Sequence, residues 1–259
     1  MTLANKVAIV TGGARGLGRA YARHLTQLGA RVFAFDLDPG QAAAFDEGAP
    51  DAVDASIVPV WADLTDRAQV DAAVCRVIGE AGGVDILVNN AGGAFAPIER
   101  STASVMPDED IDRILNINLK STIYCCQAVI PTMKAREGGA IVNTASVAGR
   151  IVAPGGRLAH YSVAKAAVAH FTRNLAAEVG PDGIRVNCIA PGTIMTGRIK
   201  ALSKERGIGT NDQLKDIPLR RFGTPEECAN VVAFLVSDMS AYITGQCISV
   251  CGGVALSPS

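Results

Sequence analysis

The sequence predicts a single doubly wound α/β domain, residues 1–259, built on a mostly parallel seven-stranded sheet. Three observations carry that expectation. Short runs rich in β-branched residues recur along the chain, and longer stretches with apolar residues at helical spacing separate them. Most of the runs are apolar at every position rather than at alternate ones, as strands covered on both faces are. Strand and helix in strict alternation imply a parallel sheet joined by right-handed crossovers.

The runs are Val7–Val10, Arg31–Phe35, Ile57–Val60, Asp85–Val88, Ala140–Val142, Ile184–Ile189 and Cys247–Val250. Pro59 weakens the third, because proline has no amide to donate to a ladder. The helical stretches are Gly16–Leu28, Asp66–Ala81, Asp108–Ala135, Tyr161–Val179 and Pro225–Val236. Thr224 before Pro225 reads as an N-cap followed by proline at the first helical position. Two stretches break the rhythm, about 92–107 and 192–218. Both follow the carboxyl end of an expected strand, where open α/β sheets bind ligands, and both are expected to be substrate loops without regular structure.

Composition narrows the function. Apolar residues are 49% of the chain and charged ones 19%, enough to bury a large core. Lys plus Arg number 24 against 25 Asp plus Glu, so the net charge of −1 gives no footprint for nucleic acid or an anionic membrane. The apolar run at Val7–Val10 has strand length, short of a signal sequence or a membrane span. Seven scattered cysteines without a C-x-x-C pair read as buried thiols of a reducing compartment, so the expected location is cytoplasmic. His24, His160 and His170 have no metal-ligand spacing, and no metal is expected. These bounds point to an enzyme or a ligand binder.

Thr11-Gly12-Gly13-Ala14-Arg15-Gly16-Leu17-Gly18 follows the first strand and opens the first helix. Glycines there allow a tight turn and let backbone amides and the helix N-terminus approach a pyrophosphate, although glycine also serves any tight turn. The second strand ends at Asp36. A carboxylate in that place accepts both ribose hydroxyls of an adenosine, whereas a 2′-phosphate would meet a like charge worth roughly 4 kcal/mol gross. Arg15 offsets part of that repulsion and is the argument for NADP; Asp36 weighs more, so NAD is expected. Asp36 also reads as a solvated turn residue before Asp38-Pro39-Gly40.

Tyr161 and Lys165 are four apart in a helical stretch and share a face. Such a pair is common on helix surfaces, but it gains meaning if the helix starts in the ligand cleft. A tyrosine that exchanges protons near neutrality must fall about three pH units from ~10, or ~4 kcal/mol. Nearby positive charge from lysine and an oxidised nicotinamide favours that phenolate. Ser146, just after the fifth strand, reads as a group orienting a carbonyl or alcohol, or as a helix cap.

The glycine-rich turn, Asn89-Asn90-Ala91-Gly92, Ser146, Tyr161-x-x-x-Lys165 and Pro191-Gly192 occur in this order. Together they resemble the classical short-chain dehydrogenase/reductase family over essentially the whole chain. The resemblance implies a Rossmann-like fold and hydride transfer between a nicotinamide cofactor and a secondary alcohol or ketone. It makes Tyr161 the general acid/base, Ser146 the holder of the reacting oxygen, and Lys165 a ligand of the nicotinamide ribose. It makes Asn118 the asparagine that anchors a water of the proton relay, with Asn116 the alternative. Cofactor contacts would come from Gly12, Arg15, Gly16, Leu17, Gly18, Asp36, Asp63, Leu64, Asn90, Ala91, Gly92, Pro191, Gly192, Thr193, Ile194 and Thr196, with Asp63 at adenine and Ile194 over the nicotinamide. A homotetramer is implied, with the 108–135 and 161–179 helices as contact faces.

Two features depart from the family pattern. Ser146 and Tyr161 are fifteen apart, a longer interval than is usual, with Pro154-Gly155-Gly156 between them. Cys251 stands where aspartate is common, and reads as structural. Arg198, Lys200, Lys204 and Arg206 read as a solvated helical face. Phe95, Ile98, Met106, Leu158 and Ile199 supply candidates for an apolar substrate wall. Two rivals to an NAD-dependent alcohol dehydrogenase remain: an NADPH-dependent 3-ketoacyl-type reductase, and a dinucleotide-binding regulator without turnover.

Overall fold

All seven β-branched runs become strands of one parallel sheet. The computed structural model of the chain describes residues 1–37, 56–206, 210 and 212–256, the side chains of 202–206 excepted. The strands are β1 (Val7–Thr11), β2 (Arg31–Asp36), β3 (Ile57–Trp61), β4 (Ile86–Asn89), β5 (Gly139–Thr144), β6 (Ile184–Pro191) and β7 (Cys247–Val250). Their order in the sheet is β3-β2-β1-β4-β5-β6-β7, and every pairing is parallel. The order reverses between β1 and β4, which opens a crevice at their carboxyl ends. Pro59 is accommodated because β3 lies at the sheet edge, with β2 its one strand neighbour among the described residues.

Helices cover both faces, which explains the unbroken apolar runs. On one face α2 (Arg67–Ala81), α4 (Ser121–Ala135) and α5 (Ala159–Val179) pack on Val7, Ile9, Phe33, Leu87 and Ile141. On the other, α1 (Gly16–Gln27) and α7 (Pro225–Val236) pack on Ala8, Val10, Val32, Val88 and Val142. Successive strand residues serve opposite cores, as the period of two requires. The Thr224 cap is a full capping box: Oγ1 accepts from the Glu227 amide at 3.4 Å, and Glu227 Oε2 accepts from the Thr224 amide at 2.9 Å.

Two expectations change. The stretch 108–135 is not one α-helix: α3 (Asp108–Leu115) passes through a π-helical turn, Asn116–Lys120, into α4. A π turn inserts one residue into the helix and so rotates the next turns about the axis, a device found often at functional sites. The 192–218 stretch is not irregular, since it holds α6 (Gly197–Arg206) and a 3-10 turn at Gln213–Asp216. The side chains of Lys204 and Arg206, and the Asp38-Pro39-Gly40 turn, lie outside the described residues. All seven cysteines are free thiols; Cys125 and Cys126 both pack in the core between α4 and the sheet. Among the described residues, no helix is long and apolar enough to cross a membrane, and no group of His, Cys, Asp and Glu could hold a metal ion.

Candidate active site

The crevice between β1 and β4 is bordered by the glycine-rich turn. Gly12 lies at φ +62°, and a Cβ on Gly18 would fall 2.0 Å from the Gly12 carbonyl oxygen, so the turn closes only with glycine there. Asn90 binds this turn to β4, donating from Nδ2 to the carbonyls of Thr11 (3.2 Å) and Gly12 (3.3 Å). Thr11 Oγ1 accepts from the amides of Asn90 and Ala91 at 2.9 and 3.0 Å. The N-cap residue of α1, Arg15, makes no side-chain capping bond, and the first turn of α1 holds no acidic residue. The helix N-terminus therefore keeps its partial positive charge for an anion.

Asp36 closes the same crevice from β2. Its Oδ2 accepts from the Ala14 amide at 3.1 Å and its Oδ1 from the Leu37 amide at 2.9 Å, which fixes the carboxylate beside the glycine-rich turn. Asp63 is held by Thr65, whose amide and Oγ1 donate to Oδ1 at 2.8 and 2.7 Å, while Leu64 is buried. From β6, the Pro191-Gly192 bend leads across to Thr196, whose Cγ2 lies 3.8 Å from where a Gly16 Cβ would stand. Pro191 is buried at the end of β6. Ile194 is also buried, at 4% exposure, and packs with the core beneath α7. Contacts thus join the ends of β1, β2 and β4 at the glycine-rich turn, and Thr196, beyond β6, lies against Gly16.

Tyr161 and Lys165 sit at the start of α5. Ser101 sets that start: its Oγ accepts from the Leu158 amide at 3.0 Å and its carbonyl from the Ala159 amide at 2.8 Å. Leu158 adopts the left-handed region (φ +61°), an uncommon conformation for leucine that directs the chain into the helix. Sequence reasoning misses Ser101, because a lone buried serine carries no spacing signal. Lys165 is 4% exposed and donates from Nζ to the Thr144 carbonyl at 2.7 Å. Burial pulls its ammonium from an ordinary 10.5 down to about 8. The ammonium lies 5.8 Å from the centroid of the Tyr161 ring.

Burial raises the Tyr161 phenol above its ordinary value, against the lowering effects of a hydrogen bond with Ser146 and of the Arg198 charge. Ser146 also fits its reading as a cap, since its Oγ accepts from the Ala148 amide at 3.1 Å and caps the short turn Val147–Gly149. Asn118 stands in the π turn, fully buried. It donates to the carbonyls of Ile114 (3.0 Å) and Gly93 (3.1 Å) and accepts from the Gly93 amide at 2.9 Å. A Cβ on Gly92 would come within 2.4 Å of Asn118 Oδ1 and 3.5 Å of Lys165 Nζ, so glycine is required where the β4 loop passes this group. His160 is buried behind Tyr161, its Nδ1 accepting from the Tyr161 amide at 2.7 Å.

Arg198 departs from the solvated face expected of it. Its guanidinium lies over the Phe95 ring, 4.3 Å from the centroid, on the wall that Phe95 shares with Tyr161. Beyond the crevice, a cavity of about 410 Å³ lies behind Ile194 and is lined by Ile217, Leu219, Arg221, Cys251 and Gly252, among others. Cys251 Sγ accepts there from the Ala255 amide at 3.5 Å.

A parallel sheet of this order, with a glycine-rich crevice and a Tyr–Lys pair beside a serine, defines a dinucleotide-dependent oxidoreductase class, and the chain belongs to the short-chain dehydrogenase/reductase family. A family model described as enoyl-(acyl carrier protein) reductase matches residues 12–255. The cyclohexanol dehydrogenase of Rhodococcus sp. (strain TK6) is 41% identical over 99% of this chain and 98% of that protein. The 3-oxoacyl-acyl-carrier-protein reductase FabG of Chlamydia muridarum is 41% identical over 98% of each chain. Among solved structures, a short-chain type dehydrogenase/reductase from Mycobacterium marinum superposes with a TM-score of 0.86 at 31% identity, over 99% of this chain and 98% of that one. Levodione reductase superposes with a TM-score of 0.84 at 33% identity, over 96% and 97%.

Proposed function

We propose that this short-chain oxidoreductase is an NAD-dependent dehydrogenase of a small, largely apolar secondary alcohol, working reversibly on the ketone. The observation that carries the proposal is the pairing of a buried Lys165 with a part-buried Tyr161, with Ser146 at the phenol, beside a crevice whose second strand ends in Asp36. The glycine cradle and the uncapped α1 N-terminus suit a pyrophosphate. Gly12, Arg15, Gly16, Leu17, Gly18 and Thr196 would hold the phosphates, Asp36 the adenosine ribose, and Asp63 and Leu64 the adenine. Asn90, Ala91, Gly92 and Lys165 would hold the nicotinamide ribose, and Pro191, Gly192, Thr193 and Ile194 the carboxamide end.

The cofactor, when bound, supplies hydride exchange and, when oxidised, a positive charge beside the phenol. Every other part of the reaction falls to the chain. Ser146 fixes the reacting oxygen, and Tyr161 gives its proton to a ketone or takes one from an alcohol. Tyr161 rests as a neutral phenol because burial favours that form. It is thereby ready to donate, and it accepts only when nearby positive charge offsets the desolvation. Asn118 holds the β4 loop at Gly93 in register with this pair and keeps the π turn open.

Asp36 also supports NAD over NADP, because a 2′-phosphate would stand against its fixed carboxylate. The FabG likeness is the reason to keep an NADPH-dependent ketoacyl reductase as the second reading. Location in the cytoplasm is supported by seven unpaired thiols. A homotetramer, assembled through the α3–α4 and α5 faces, is supported by the exposed Val163 of α5, at 58%. The test is calorimetric titration with NADH and with NADPH, followed by NAD⁺-linked oxidation of cyclohexanol. Tighter NADH binding with turnover is expected; tighter NADPH binding overturns the cofactor assignment in favour of the ketoacyl reading.

A further inference from the structure

We infer that Arg198 is a positioning residue for proton transfer at Tyr161: a permanent positive charge that α6 carries onto the wall of the active site. The inference rests on the reading that Tyr161 exchanges the proton. Nothing in the sequence pattern marks Arg198 for such a role, since α6 is polar and its basic residues have no spacing that distinguishes one of them. The fold singles it out. Its Cζ lies 4.3 Å from the centroid of Phe95, within the range at which a cation is attracted to an aromatic face. A Cβ on Gly93 would meet its Nη1 at 3.1 Å, so the guanidinium also lies against the β4 loop. That loop is fixed by two hydrogen bonds between Gly93 and Asn118. Phe95 in turn packs with Ala96, Ile114, Ala164 and Tyr161 in one apolar cluster. The platform under the cation and the wall beside the phenol are therefore the same group of side chains.

The charged and titratable groups around Tyr161 come from few elements. Lys165 and His160 share α5 with it, and Ser146 reaches it from the end of β5. The β4 loop brings only Phe95 and Ala96 to the cluster, and α3 brings Asp110, which is paired with Arg100 at 2.9 Å and acts on His160. Among the described residues, Arg198 alone comes from the segment beyond β6, and it opposes the burial that holds the phenol neutral. Lys165 is the other cation among them, but its ammonium is bound to the Thr144 carbonyl, and burial pulls its pKa down to about 8. A guanidinium stays charged throughout that range. As pH rises the two cations part company, and Arg198 is the one that persists where a phenolate is needed to accept an alcohol proton.

The test reads the phenol directly. Ultraviolet titration of tyrosinate in the cofactor-free protein, as the difference between wild type and Tyr161→Phe, cancels the other three tyrosines and isolates Tyr161. The same difference taken in an Arg198→Gln background is expected to titrate about one pH unit higher. Arg198→Lys, which keeps a charge, is expected to restore most of the shift. Phe95→Leu, which keeps the arginine and removes its platform, is expected to move the midpoint the same way by less. The pH profile of cyclohexanol oxidation by Arg198→Gln should move with the titration. An unchanged midpoint in Arg198→Gln, or no rescue by lysine, overturns the inference. Retained turnover in Tyr161→Phe would instead overturn the proton-transfer reading, and the titration would still report on Arg198.

Discussion

A lysine ammonium at 4% exposure, with one hydrogen bond to a backbone carbonyl, is costly to keep charged. That cost has a definite pH dependence. The ammonium titrates near 8 in the folded chain and near 10.5 when unfolded. Below pH 8 both states are protonated and the folded state carries the full penalty. Between about 8 and 10.5 the unfolded chain holds the proton that the folded one has lost, so stability rises with pH. The difference in unfolding free energy between wild type and Lys165→Met should therefore grow in favour of wild type by about 3 kcal/mol across that window. Urea unfolding at several pH values measures it, and a flat difference would mean that Lys165 is not desolvated. Asp36 makes a separate prediction at the same scale. Replacing it with serine keeps a hydrogen-bond acceptor and removes the charge, so NADPH affinity should rise by an order of magnitude or more while NADH affinity falls.

At the scale of elements, the placement of Tyr161 depends on Ser101 and the left-handed Leu158 that open α5. Ser101→Ala leaves the Leu158 amide without its partner and the Ile98 carbonyl without the 2.7 Å bond it accepts. A loss of about 1–3 kcal/mol is expected, with turnover reduced more than cofactor affinity; thermal unfolding and calorimetry separate the two. Gly18→Ala should be worse, since its Cβ meets backbone at 2.0 Å, and should abolish dinucleotide binding. Much of this scale is legible in the sequence. All seven strands can be read because both faces of the sheet are covered, and α7 because threonine, proline and Glu227 spell out a capping box. The break at Asn116–Lys120 is not legible, because a π turn uses ordinary helix-forming residues and is set by the bonds of Asn118 to Gly93, far away in sequence. Nor is α6, whose polar residues show no apolar face, or Ser101, which acts through backbone. Arg198 reads as solvated for the same reason: its partner, Phe95, lies on a different loop.

For the whole molecule, the sheet order brings the ends of β1, β2 and β4 to one glycine-rich crevice, and α5 carries Tyr161 and Lys165, the pair proposed to exchange the proton. The proposed mechanism stands or falls on Tyr161 being the proton carrier of a nicotinamide-dependent reaction. Family membership makes hydride chemistry the expected work of the fold, but a nucleotide-binding regulator would keep the same crevice without needing the Tyr161 phenol. Replacing Tyr161 with phenylalanine removes one oxygen and leaves the apolar cluster of Phe95, Ile114 and Ala164 filled. The decisive measurement is the rate of NAD⁺-linked cyclohexanol oxidation by wild type and Tyr161→Phe, with NADH binding measured calorimetrically on both. A proton carrier at Tyr161 predicts a fall in turnover of about 10²–10⁴-fold with NADH affinity unchanged. Turnover unaffected by the substitution would contradict it.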